Sequence, residues 1–198
     1  RPGAMERLGY CWETLSAQYP RRIYAAASGC GHTGPYKSRP AYDMVVQGMG
    51  GIMSITGQPG GPPTRVGASV GDLTAGLFTT IGISSALHHR AESGKGMKID
   101  VAMLDCQVAI LENALSRYFL SGKSPAPLGA RHPSIAPFAA YKTADGHIII
   151  ACGTDALYRK FCAAIERPAL TADPRFVTND KRSEKVDALT AETESAHA

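Results

Sequence analysis

Asp72 is the carboxylate whose setting invites covalent chemistry. It follows the glycine-rich run Val66-Gly67-Ala68-Ser69-Val70-Gly71 and opens a long apolar stretch, which places it at a predicted helix start. The partial positive charge of a helix N-terminus favours an anion there. An ionised carboxylate so placed can attack an acyl carbonyl and split one difficult transfer into easier steps through a covalent intermediate. A second reading makes Asp72 only the helix N-cap, a role Asp often fills and whose loss costs about 1 kcal/mol. Ala75, at the expected N3 position, completes no capping box, and Gly71 and Gly76 leave room beside the carboxylate for a bulky ligand.

Other constellations are weaker. Gly29-Cys30-Gly31-His32-Thr33-Gly34 matches GxGxxG literally, but Pro35 and Pro40 follow at once. A dinucleotide fingerprint needs a helix to begin within its glycines and an acidic residue about 20 positions on, so this segment is expected to be a surface loop. His88 and His89 are adjacent, hence about 100° apart on a helix and unable to chelate one metal together. Cys30-x-His32 lacks two further ligands at zinc spacing, and no metal site is expected. Neither a GxSxG elbow nor a P-loop is present. Asp43, Asp100 and Asp105 read as helix caps or solvent-facing groups.

The elements that must position Asp72 alternate. Residues 4–18 have helical periodicity, and Ile23–Ala27 reads as a short buried strand. Residues 41–49 form a helix, followed by the turn-rich loop 57–63. The helix after Asp72 runs to about Glu92, its apolar and small residues suiting a core, and Gly94 and Gly96 end it. Met97–Met103 is a strand, and a further helix spans 104 to about 120. Strand–helix–strand alternation argues for an α/β fold with parallel strands. Proline-rich 121–137 reads as a linker. Beyond it, Ala144-Asp145-Gly146 between two apolar runs signals a hairpin, and helices over 155–165 and 179–194 complete a smaller α+β unit.

The chain has 198 residues, 44% of them hydrophobic, enough for a core. Its net charge of +4 is scattered, so nucleic acid is not the expected partner, whereas a polyanionic small molecule fits. Five cysteines without a CxxC pair suggest reduced thiols and a cytoplasmic setting. No apolar run is expected to reach the roughly 20 residues that span a bilayer. The chain opens Arg1-Pro2-Gly3 without a Met, which leaves open a preceding portion and any signal on it.

Several segments in register carry a resemblance. They are Arg1-Pro2-Gly3-Ala4-Met5-Glu6-Arg7-Leu8-Gly9, Ser28-Gly29-Cys30-Gly31-His32-Thr33-Gly34-Pro35, Arg39-Pro40-Ala41-Tyr42-Asp43, Gly71-Asp72-Leu73-Thr74-Ala75-Gly76 and Gly94-Lys95-Gly96-Met97-Lys98-Ile99-Asp100. With Ile135-Ala136-Pro137-Phe138 and Thr143-Ala144-Asp145-Gly146, they resemble the class III CoA transferases, the CaiB/BaiF family, and within it the dicarboxylate-type enzymes.

That resemblance implies a Rossmann-like large domain, present in part, with a smaller α+β domain, two chains interlocking as a homodimer, and an internal piece of a protein about twice as long. Residues 1–103 would belong to the large domain, 104–130 to a linker helix and loop, and 131–198 to the small domain. It implies transfer of CoA from a succinyl-CoA-like acyl-CoA to a carboxylic acid, with acyl-CoA as substrate and no permanently bound cofactor. Asp72 matches the catalytic aspartate, while Arg1, Arg7 and Pro40-Ala41-Tyr42-Asp43 match positions lining the CoA site. Arg39, beside them, is a further phosphate candidate, since guanidinium pairs well with phosphate. Two departures stand out. In place of the glycine run that closes over the site in some relatives, the nearest loop offers only Gly122 and Gly129. Where racemising relatives carry a His, this chain has Tyr42, a poor proton acceptor at neutral pH with an ordinary pKa near 10. Transfer is therefore expected over 2-methylacyl-CoA racemisation or epimerisation. A truncated, non-catalytic CoA-binding piece is the remaining alternative.

Overall fold

Two short strands in register carry the first part of the chain. Tyr24–Ser28 (β1) and Lys98–Ala102 (β2) pair in parallel, Tyr24 opposite Lys98 and Ser28 opposite Ala102. Parallel neighbours need a crossover, and the 24-residue helix Val70–Ser93 (α5) is part of it. In the computed structural model, which describes residues 2–196, the chain divides into two compact units, Arg1–Pro127 and Leu128–Ala198. Each mixes helix with strand.

In the first unit, residues 4–18 form two short helices rather than one, Ala4–Arg7 (α1) and Trp12–Gln18 (α2). They are parted at Gly9, whose φ of 78° is left-handed. Asp43–Met49 (α3) and Ile52–Ile55 (α4) follow β1. After β2 come Met103–Ala109 (α6) and Asn113–Ser121 (α7), separated where Glu112 takes a positive φ of 47°. Residues 104–120, expected as one linker helix, are thus two helices. The first belongs to this unit's core, where Cys106 packs with Ala75 and Val101. Gly96 is needed between α5 and β2, because a Cβ there would run into the Arg22 carbonyl.

The expectation of a buried helix after Asp72 is not met in this chain. Only Gly71, Ala75 and Ala86 of α5 are buried, through packing on α3, α6 and the two strands. Leu73, Leu77 and Ile81, spaced every four residues, form an exposed stripe. Nor does the expectation about apolar runs hold, since α5 is long and apolar enough to cross a membrane by length and composition. Its packing on two strands and two helices reads it as part of the folded unit.

In the second unit, Phe138–Thr143 (β3) and Gly146–Ala151 (β4) form the expected hairpin, closing at Thr143 opposite Gly146. Helix Asp155–Ala164 (α8), capped by Thr154, follows and adds Tyr158 and Cys162 to the core. Tyr141, Ile150, Tyr158, Cys162, Phe176 and Leu189 centre the core. The expected polar helix from Asn179 is broken at Lys185 into Asn179–Glu184 (α9) and Val186–Ser195 (α10). Arg182 of α9 is buried. Its Nε donates to the Ala136 carbonyl at 2.7 Å, one terminal nitrogen to the Phe176 carbonyl at 3.0 Å, and the other to Asp155 Oδ1 at 2.6 Å.

Candidate active site

The start of α5 is held by α3, not by its own residues. Ser69 is the N-cap but makes no side-chain cap bond. The orphan amide of Gly71 donates instead to Asp43 Oδ1 at 2.8 Å, across 28 residues of sequence. The helix begins at Val70, so Asp72 lies inside the first turn, and the reading of Asp72 as N-cap is corrected: Asp43 performs the capping. Gly71 also serves a different purpose from the one expected. A Cβ there would lie 2.6 Å from Val46 Cγ2, so its smallness lets α5 approach α3; of the two glycines, Gly76 is the one with open space around it.

The second oxygen of Asp43 accepts from Gln47 Nε2 at 2.8 Å. Gln47, one turn along α3, is fully buried. Its Oε1 accepts the Val66 amide at 2.9 Å, and its Nε2 also reaches the Val66 and Ala68 carbonyls at 3.4 and 3.3 Å. Arg65 holds the same strap from outside, donating to the Val66 and Gly67 carbonyls. From α6, the buried Gln107 donates to Thr74 Oγ1 at 3.3 Å. No residue-type motif singled out Gln47 or Gln107. The available signal was the Asp43–Gln47 spacing of four, which suits a helical Gln–Asp pair.

With capping delegated to Asp43, the Asp72 carboxylate is exposed, and among the described residues it has no hydrogen-bond or ion-pair partner. It thus combines free lone pairs, a helix N-terminus and a backbone fixed on both sides. Such a carboxylate is available to act as a nucleophile or to accept a proton.

The other expected residues fall in two places. Arg39, Pro40, Ala41 and Tyr42 line a cleft of about 320 Å³ with Ser28, Gly29 and Met103. Arg39 stacks on Tyr36, its guanidinium 4.1 Å from the ring centroid, and Tyr42 is 80% exposed. Neither Asp43 nor Asp72 lines this cleft, but Asp43 follows Tyr42 directly and is bonded to Gly71, so one hydrogen bond connects the cleft segment to the start of α5. Arg7 lies exposed on α1, its guanidinium near Gly3 and outside the cleft lining. Arg1 lies outside the described residues. The GxGxxG segment is a loop with left-handed Gly31 and Gly34, anchored by the His32 amide donating to Asp100 Oδ2 at 2.8 Å. Burial pushes the Cys106 thiol up, which disfavours the reactive thiolate.

Comparison with known proteins gives this geometry a context. The model of CoA-transferase family III matches residues 1–198. Over 197 residues the chain is 49% identical to an acetyl-CoA:oxalate CoA-transferase from Acetobacter aceti, covering 99% of this chain and 51% of that protein. It is 41% identical over 178 residues to a succinate–glutarate CoA-transferase from Agrobacterium fabrum, covering 90% of this chain and 44% of that one. Among solved structures, a CAIB/BAIF family protein from Brucella suis superposes with a TM-score of 0.82 at 42% identity, over 98% of this chain and 52% of its own. A hypothetical protein from Mycobacterium tuberculosis gives 0.88 at 33% identity, over 100% and 53%. The chain therefore spans about half the length of the curated relatives it matches. With the match running from its first residue to its last, the chain belongs to CoA-transferase family III.

Proposed function

We propose that the full-length protein transfers CoA from an acyl-CoA to a carboxylic acid, with Asp72 as the covalent relay. The observation that carries this reading is the division of labour at the start of α5: Asp43 caps the helix, and the Asp72 carboxylate is left exposed, without a partner among the described residues. An Asp72 oxygen attacks the donor thioester carbonyl and the C–S bond breaks, giving a mixed anhydride and CoA thiolate. The thiolate attacks the aspartyl carbonyl, releasing the donor acid and leaving an aspartyl-CoA thioester. The acceptor carboxylate attacks that thioester, forming a second anhydride and freeing the thiolate again. Attack of the thiolate on the acceptor's acyl carbonyl then yields the new acyl-CoA and regenerates the Asp72 carboxylate. Backbone amides near the helix start would hold the developing oxyanions, a contribution of about 3–4 kcal/mol per donor in a measured case.

In this reading CoA is substrate rather than resident cofactor. Arg39, Pro40, Ala41 and Tyr42 offer it a cleft, with Arg1 and Arg7 as further phosphate partners and Asp43 fixing that segment to the nucleophile's helix. The relatives' names mention oxalate and glutarate, which points to a small dicarboxylic acid as acceptor. The first unit is read as part of a Rossmann-like domain whose full-length chain interlocks with a second copy.

Mass spectrometry of the full-length protein after incubation with succinyl-CoA tests the relay. The expected result is a CoA or acyl adduct on the Asp72 peptide and its loss in Asp72→Ala. Full transfer activity in Asp72→Ala refutes the mechanism. Solvent deuterium appearing at the α-carbon of a 2-methylacyl-CoA would instead identify a racemase.

A further inference from the structure

Gln47 is fully buried and hydrogen-bonds both Asp43 and the Val66–Ala68 strap that leads into the nucleophile's helix. Resting on the CoA-transfer reading above, we propose that Gln47 is a positioning residue, which locks Asp43 against the Gly71 amide and fixes the Val66–Ala68 strap so that Asp72 is presented in one orientation.

The orientation of its carboxamide follows from its neighbours. Oε1 must face the Val66 amide, which only donates, and Nε2 must face Asp43 Oδ2 and the Val66 and Ala68 carbonyls, which accept. Rotated by half a turn, the group would set N–H against N–H and oxygen against carboxylate. The network therefore has a single satisfied arrangement. Within it both Asp43 oxygens are engaged, one on Gln47 and one on the α5 terminus. A hydrogen-bonded chain thus runs from the strap before α5, through Gln47 and Asp43, to the amide next to Asp72. Enzymes lose up to about a hundredfold in rate when a supporting shift misplaces a reacting group by about 1 Å.

The charged groups around Gln47 are few. Asp43 lies on its own helix, Arg65 on the strap and Asp72 on α5. Helix α4 carries none, and Asp105 of α6 lines a separate cleft with Asp100. In Q47E one carboxylate oxygen keeps the Val66 amide, while the other stands where Nε2 stood, 2.8 Å from Asp43 Oδ2. Two carboxylates at that separation do not both ionise readily. When they share a proton, the Glu hydroxyl donates to Asp43 and rebuilds the wild-type link; when both are charged, they repel and Asp43 is driven from Gly71.

The test uses the full-length protein with Q47L, Q47E and Asp72→Ala, reading transfer from succinyl-CoA across pH together with hydrogen exchange of the 66–72 peptide. In Q47L, kcat is expected to fall by about ten- to a hundredfold while KM for the acyl-CoA changes by less than about threefold. Exchange at the Gly71 amide, which Gln47 does not touch, is expected to rise by at least about tenfold, the lower end of what a hydrogen bond to a charged acceptor is worth. Q47E is expected to regain activity and protection as pH falls and the shared proton returns, a limb absent from the wild type. Where Q47L does not fold, Q47E decides. Wild-type Gly71 exchange in Q47L, or a Q47E profile parallel to the wild type, overturns the positioning role. The exchange measurement needs no turnover, so it stands even if Asp72→Ala remains active and the transfer reading falls.

Discussion

Replacing Gly71 with Ala sets two familiar effects against each other, and the structure decides the winner. In an unobstructed helix interior Gly→Ala gains about 1 kcal/mol from propensity. At position 71 the new Cβ would lie 2.6 Å from Val46 Cγ2 and 3.0 Å from Asp43 Oδ1, on the face where α5 meets α3. Val46 is fully buried and cannot swing into solvent, so the two helices must move apart. Overpacking of this kind costs about 1–3 kcal/mol, and separation also stretches the 2.8 Å bond from the Gly71 amide to Asp43. A hydrogen bond to a charged acceptor contributes about 1.5–3 kcal/mol. Losing even half of it leaves Gly71→Ala net destabilising by about 1–3 kcal/mol. Urea denaturation of the full-length protein measures this, and a double-mutant cycle identifies the cause. Val46→Ala alone costs about 1–3 kcal/mol through the cavity it leaves, but in the Gly71→Ala background it also removes the clash. The two changes are therefore expected to couple favourably by at least about 1 kcal/mol. A Gly71→Ala protein as stable as the wild type, or strictly additive changes, would refute the close α3–α5 contact and the capping role built on it.

Two further outcomes concern the second unit. Arg182→Leu removes three short bonds from a buried guanidinium, to the Ala136 and Phe176 carbonyls and to Asp155. Because Asp155 is itself half-exposed, the cost is expected near the lower end for a broken buried pair, about 3 kcal/mol. Hydrogen exchange is expected to report the loss within residues 128–196, and a change below about 0.5 kcal/mol would mean that the guanidinium is dispensable. Burial pushes the Tyr141 phenol up to about 12 and the Tyr158 phenol also up. An unfolded Tyr ionises near 10, so the unfolded chain holds fewer protons than the native one above that pH. Their stabilising contribution is whole below pH 10 and lost as pH rises towards 12. Absorbance titration of phenolate against circular dichroism is expected to show these two phenols ionising only with unfolding, and early titration in the folded protein would contradict their burial.

Much of the fold was legible in residue order because it rests on local chemistry. The strand at 24–28, the hairpin around Asp145-Gly146 and the long helix after the 66–71 run all follow from periodicity and turn residues within a dozen positions. The family resemblance, carried by several short segments in register, pointed to Asp72 and to 39–43. The capping of α5 was not legible, because the Asp that performs it comes from a helix 28 residues away, and a cap is read from the sequence only when it is a neighbour. Gln47 and Gln107 were equally silent, since a buried carboxamide acquires meaning only from what the fold places against it. The apolar pattern of α5 correctly forecast a helix but not which of its residues this chain buries. Leu73, Leu77 and Ile81 stay exposed while small Gly71, Ala75 and Ala86 are covered, because the elements of this chain that pack on α5, namely α3, α6 and the two strands, meet its small-residue side. The sequence alone pointed to Asp72 through its place at a helix start and the family resemblance, both of which are read from neighbouring residues. Only the tertiary structure showed that the helix end is capped from 28 residues away by Asp43 and that Asp72, among the described residues, is exposed without a hydrogen-bond or ion-pair partner, because that assignment depends on which helices the fold brings together.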